Sequence, residues 1–153
     1  MKLNGEIFLE RSGQYKLKET AILISGNAVS FISKIENLII KKFTKDVYSK
    51  KNIIDLNVNK NINLKDLTNS KSLFGNHNII RIKNPNESLI KELDSININN
   101  NTIIINGEGI KNNSKIKKYF DAHKNFYSIV CYKLTGQFKK KLVDKFINQQ
   151  KIN

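Results

Sequence analysis

With 153 residues, a net charge of +14 and 39% hydrophobic content, the chain fits one basic domain with enough material for a real core. Seven Gly and one Pro exclude collagen-like and Pro-rich disordered classes, and a single cysteine, Cys131, excludes an intrachain disulfide and any Cys-based zinc cluster. The basic excess is 25 Lys against two Arg, beside 23 Asn and 24 Ile; these are residues of A/T-rich codons, so the charge permits weak attraction to nucleic acid without demonstrating it.

The segment before the first strand places Leu3, Ile7, Phe8 and Leu9 beside Lys2, Glu6 and Glu10, which predicts a helical packing extension. It has no apolar stretch of the kind a signal peptide needs. Thr20–Ser25 is an apolar run too short for a helix or a membrane span and bounded by Gly26 and Asn27, hence a buried strand. Ala28, Phe31, Ile32, Ile35, Leu38, Ile39 and Phe43 then step by threes and fours, with Lys34, Glu36, Lys41 and Lys42 elsewhere, predicting an amphipathic helix that Asn27 can cap. Asn52–Asn57 reads as a second strand, and a short helix follows around Leu64 and Leu67.

Asn78–Lys83 is a third strand, closed by the turn signal Asn84-Pro85-Asn86. A short helix over Ser88–Leu93 leads to a fourth strand, Thr102–Asn106, which Gly107-Glu108-Gly109 breaks with a turn. Ile116, Tyr119, Phe120 and His123 mark the next helix face, with Asn113 or Ser114 as cap. Phe126–Tyr132 is the fifth strand, and Phe138, Leu142, Val143, Phe146 and Ile147 line a last helix that Thr135 caps. Five strands alternating with helices predict an α/β domain whose mostly parallel sheet is covered on both faces. There is no repeat of solenoid period and no long linker.

The loop after the first strand, Ile24-Ser25-Gly26-Asn27-Ala28-Val29, has one Gly and no Gly-Lys-Ser/Thr, so it lacks the backbone nest and the lysine of a phosphate loop. No cofactor site is expected from it. His77 and His123 lie far apart without a Cys or carboxylate cluster at metal spacing, and read as a loop and a helix-surface histidine. Cys131 reads as a buried structural thiol and Asp55 as a turn residue. Lys117-Lys118 and Lys139–Lys141 read as solvated helix faces, and Lys50-Lys51 forms a further pair. Tyr15, Tyr119, Phe120 and Tyr132 do not interleave with lysines as a stacking platform would. No catalytic residue, metal ligand or cofactor ligand emerges.

Ser72-Leu73-Phe74-Gly75 puts two large apolar residues beside polar Asn76-His77-Asn78. A helix C-terminus whose Leu enters the core before a Gly stop is one reading. The surrounding stretch, Thr68-Asn-Ser-Lys-Ser-Leu-Phe-Gly-Asn-His-Asn-Ile-Ile-Arg-Ile-Lys83, resembles the clamp-loader δ family of bacterial DNA polymerase III. There a short helix ends in Ser-Leu-Phe and a strand of Ile-Ile-Arg-Ile type follows. Met1–Leu3 with Ala21–Gly26, Asn101–Ile110 with Asn113–Phe120, and Ser128–Tyr132 with the helix to Ile147 are similar to that family in order and spacing.

The resemblance implies a RecA-like AAA+ first domain over residues 1–150, without a functional phosphate loop and without the lid and collar domains of longer members. It implies a noncatalytic part of the DNA polymerase III machinery in the cytoplasm, with ATP hydrolysis left to other clamp-loader subunits. The partners implied are the β sliding clamp and those subunits, the latter through the missing C-terminal domains, so the domain by itself is expected to be monomeric. Leu73 and Phe74, with Ser72 before them, would enter the apolar pocket of the clamp; the usual Gln-Leu of the clamp-binding pentapeptide is Ser70-Lys71 here. The competing expectation is a basic α/β module that binds nucleic acid through its lysine faces.

Overall fold

The computed structural model describes residues 1–43, 50–58, 63–69 and 77–150. Its elements run β1 (Lys2–Asn4), α1 (Gly5–Arg11), a 3-10 turn (Ser12–Gln14), β2 (Ala21–Gly26), α2 (Val29–Phe43), β3 (Lys50–Asp55), α3 (Leu64–Asn69), β4 (Asn78–Lys83), α4 (Ser88–Ser95), β5 (Asn101–Glu108), α5 (Lys115–Ala122), β6 (Tyr127–Cys131) and α6 (Gly136–Gln150). They form one sheet in the order β1-β6-β2-β5-β4-β3, with parallel pairing in each ladder.

The sheet therefore has six strands rather than the expected five. The extra one is the start of the segment expected to be wholly helical. Lys2, Leu3 and Asn4 pair with Ser128, Ile129 and Val130, and three residues are too few to show a period of two. Helix α1 starts directly afterwards, with the Asn4 side chain accepting from the Glu6 amide at 2.7 Å.

Alternate residues of the central strands feed two cores, as the pleat requires. Ala21, Leu23, Ile103, Ile105, Ile80 and Ile82 meet α3, α4 and α5 through Leu64, Leu89, Leu93, Ile116 and Phe120. Ile22, Ile24, Ile104, Ile79 and Ile129 meet α1 and α2 through Phe8, Phe31, Ile32, Ile35 and Ile39. Residues 21 to 24 of β2 are all fully buried, which is why that strand reads as a continuous apolar run instead of an alternating one.

Several boundaries move by a residue or two. The first turn of α2 returns its amides to the Ala28 carbonyl, Phe31 N–H and Ile32 N–H both at 2.9 Å, so the helix starts past Asn27. Ser114 caps α5, and the Thr135 hydroxyl accepts from the Phe138 amide at 3.2 Å at the start of α6. Gly107 does not break β5, because it lies inside the strand opposite Ser25. A Cβ there would come within 2.9 Å of a Leu23 methyl, so glycine at this position serves close packing. The turn itself falls at Gly109, with φ +74°.

Candidate functional site

The end of β2 is where a parallel α/β sheet usually presents a phosphate loop. Here the chain runs from Gly26 straight into α2, and the backbone of β6 lies against it. Gly26 has φ +139°, and a Cβ would fall 2.0 Å from the Cys131 carbonyl oxygen. The Ala28 amide donates to that same carbonyl at 3.3 Å. The Ser25 hydroxyl is buried and has no hydrogen-bond partner among the described residues.

Beside this loop, a polar cleft opens between α2 and the ends of β3, β4 and β5. Glu36 was expected on the polar face of its helix, yet it is 3% exposed. Its carboxylate takes the Arg81 Nε at 2.9 Å and the Asn106 amide at 3.4 Å. The signal that places it was its position four residues after Ile32, in the apolar stripe. Asp55 accepts from the Asn57 amide at 2.9 Å and from the Asn84 side chain at 2.8 Å. These bonds, the one from Asn84 foremost, hold its carboxyl below the usual range, and the turn reading stands.

Both histidines pack against an aromatic ring. His77 is half-buried, hydrogen-bonded to the Thr102 hydroxyl at 2.9 Å and stacked on Phe43. His123 follows α5 instead of lying on its surface, and its ring stacks on Phe126 with centroids 3.6 Å apart. Burial pushes the Cys131 thiol up to about 12, so the side chain is inert packing. Lys117 was expected to be solvated but is 2% exposed. Its ammonium bonds Asp121 and, at 3.0 Å, the Ser128 hydroxyl, tying α5 to β6. Its spacing of four residues from Asp121 carried that information. Lys118, Lys139, Lys140 and Lys141 are exposed as expected, while the side chains of Lys50 and Lys51 lie outside the described residues.

Ser72, Leu73 and Phe74 lie outside the described residues. The positions on either side of them are fixed by one asparagine-rich corner at the start of β4 and β5. The Asn101 side chain donates to the Thr68 carbonyl at 3.3 Å, near the end of α3, and to the Asn99 carbonyl at 2.7 Å. Its amide oxygen accepts from the Asn78 side chain at 3.2 Å. The Asn78 backbone amide donates to Asn100 at 2.8 Å. Asn101 is 1% exposed and Asn78 6%, so these are internal bonds that hold two chain ends together.

No protein-family model matches the chain. Among curated proteins, it is 28% identical over 117 residues to the probable DNA polymerase III subunit delta of Rickettsia prowazekii (strain Madrid E). Among solved structures, it is similar to the DNA clamp loader delta protein of Bacillus subtilis, with a TM-score of 0.55, 13% identity and 97% of this chain covered; that likeness is one of fold. The chain spans 35% of the length of the curated relative and 46% of the solved one. The curated relative supports the resemblance to the δ subunit of bacterial DNA polymerase III, a component of DNA replication, and the solved structure agrees with it in fold.

Proposed function

We propose that the chain is a noncatalytic δ-type domain that binds the β sliding clamp through Leu73 and Phe74 and favours the open ring for loading onto primed DNA. One agreement carries this reading. The stretch Thr68–Lys83 resembles the clamp-loader δ family on its residues alone, and the comparisons over most of the chain point the same way.

The residues that flank the site supply physical support. A wedge needs a stiff base, and the corner formed by Asn78, Asn99, Asn100 and Asn101 fixes the two ends that flank residues 70–76. A ligand favours an open ring only by binding it better than the closed one. Burial of Leu73 and Phe74 in the clamp would contribute about 1.5–3 kcal/mol each, the size of a two-residue hot spot. At the other end of the sheet, the loop after β2 has neither the glycine nest nor the lysine of a phosphate loop, and its Ala28 amide donates to the Cys131 carbonyl. This favours a domain that leaves nucleotide binding and hydrolysis to partner subunits in the cytoplasm.

The test is the double variant Leu73→Ala/Phe74→Ala against the cognate sliding clamp by surface plasmon resonance, with urea denaturation alongside. Clamp affinity is expected to fall by about 2–4 kcal/mol with little change in stability. A loss of several kcal/mol of folding stability would instead make both residues core. Unchanged clamp binding in a folded variant would sink the wedge assignment.

A further inference from the structure

Two consecutive residues at the start of β5 hold the chain on either side of Ser72, Leu73 and Phe74. Asn101 lies on the sheet face of Ile103, Ile105 and α3, and Thr102 on the opposite face, that of Ile104 and α2. Both are buried, at 1% and 0% exposure, in a strand whose next three residues are isoleucines. The Asn101 side-chain nitrogen donates to the Thr68 carbonyl in α3 and to the Asn99 carbonyl, and its oxygen accepts from Asn78 at the start of β4. On the other face, the Thr102 hydroxyl donates to the Leu17 carbonyl at 3.1 Å. Its oxygen therefore accepts the Nε2–H of His77, at 2.9 Å.

The elements joined in this way have other anchors. Strand β4 is paired with β5 from Asn78 to Lys83, and α3 is seated by Leu64, which is fully buried in the core. What the Asn101 amide adds is a fixed separation between Thr68 and Asn78. Thr102 adds a fixed direction for the chain that enters β4 at His77. An apolar residue at 101 would fill the same space and set no such separation, whereas a fully bonded buried polar group admits one geometry.

We infer that Asn101, supported by Thr102, is a positioning residue for clamp binding. It acts through Leu73 and Phe74, by fixing the two ends from which they are presented, and not by contact with the clamp. The inference rests on the clamp reading above. A binding segment whose ends are already held loses less freedom on association, so the fixed ends raise affinity without adding a contact.

The test is a mutant cycle on the whole chain, with clamp affinity read by surface plasmon resonance and folding by urea denaturation. Asn101→Ala is expected to weaken clamp binding about five- to tenfold. Asn101→Asp should do the same, because it keeps the oxygen for Asn78 and loses the donor for Thr68 and Asn99. Added to Phe74→Ala, the Asn101→Ala change should weaken binding by a smaller factor than it does alone, since it then aims only Leu73. Thr102→Val keeps the side-chain volume, removes the acceptor of His77 and should weaken binding in the same direction; it replaces Asn101→Ala in the cycle if that variant does not fold. Wild-type clamp affinity in the folded variant would overturn the inference. So would equal losses with and without Phe74→Ala, the mark of a general loosening of the fold. Both outcomes leave the clamp reading standing where Leu73→Ala/Phe74→Ala lowers affinity. Clamp binding unchanged by that pair would remove the clamp reading and this inference together.

Discussion

Helices α2 and α6 have the same length, 15 residues each, and both carry apolar residues at helical spacing, yet the fold uses them in opposite ways. Helix α2 buries Phe31, Ile32, Ile35 and Ile39 against the sheet, together with the carboxylate of Glu36. Helix α6 buries Phe138 and leaves Val143, Phe146 and Ile147 in solvent. The difference is in what lies underneath. Ile22, Ile24, Ile79 and Ile104 from three adjacent strands face α2, whereas α6 follows β6 and is held at its first turns to α1. Periodicity identifies the apolar face of a helix; tertiary position decides whether the protein itself covers it.

The largest expected effect sharpens this contrast. Ile35→Ala or Ile39→Ala should cost about 2–5 kcal/mol in urea denaturation, because each opens a cavity in a fully buried layer. Next is the polar anchor of the same helix. Glu36→Ala leaves Arg81 and Asn106 without their shared acceptor, and should cost about 2–4 kcal/mol, somewhat less than a fully buried pair because Arg81 retains some exposure.

Helix α5 offers an intermediate case with a pH signature. Burial works against the charge on Asp121, and hydrogen bonds from Lys117 and Ser128, with the charges of Lys117 and Lys2, outweigh it and hold its carboxyl below the ordinary 3.8. A lowered carboxyl stabilises the fold above the unfolded-state value and loses that contribution as pH falls through the folded-state value. Asp121→Asn should therefore cost about 1.5–3 kcal/mol at neutral pH, and its gap from wild type should close in the acid range. A gap that stayed constant down to acid pH would assign the loss to packing. The smallest effect belongs to α6: Phe146→Gln should shift stability by no more than about 0.5 kcal/mol. A loss of core size there would break the comparison, since it would mean that the distal turns are packed.

The elements of the fold were readable because Ile-rich runs of strand length alternate with helical spacing, as in Asn78–Lys83, which the structure reproduces to the residue. The α/β class followed from that alternation. Strand β1 was not readable, since its three residues gain meaning only through pairing with Ser128–Val130, far along the chain. Glu36 and Lys117 were misplaced for a related reason. A charged side chain counts as surface until its partner is known, and the partners are Arg81 on another element and Asp121 with Ser128. The proposed function rests on the resemblance of the stretch around Ser72-Leu73-Phe74, since two apolar residues before a glycine have no unique physical meaning alone.

The place of β2 in the sheet has a consequence for the time course of synthesis. Its two ladder partners are β5 and β6, so Ala21–Gly26, one of the most apolar segments of the chain, has no strand to pair with until Asn101–Glu108 has been made. At about 5–20 residues per second, the interval is roughly 4–16 s. For that time a short, uncharged, proline-free β-forming segment is exposed on an incomplete polypeptide, the condition under which strands associate with the wrong neighbours. Ribosome-bound chains halted before residue 101 should thus aggregate or recruit chaperones, and chains halted with residue 131 fully outside the exit tunnel should not.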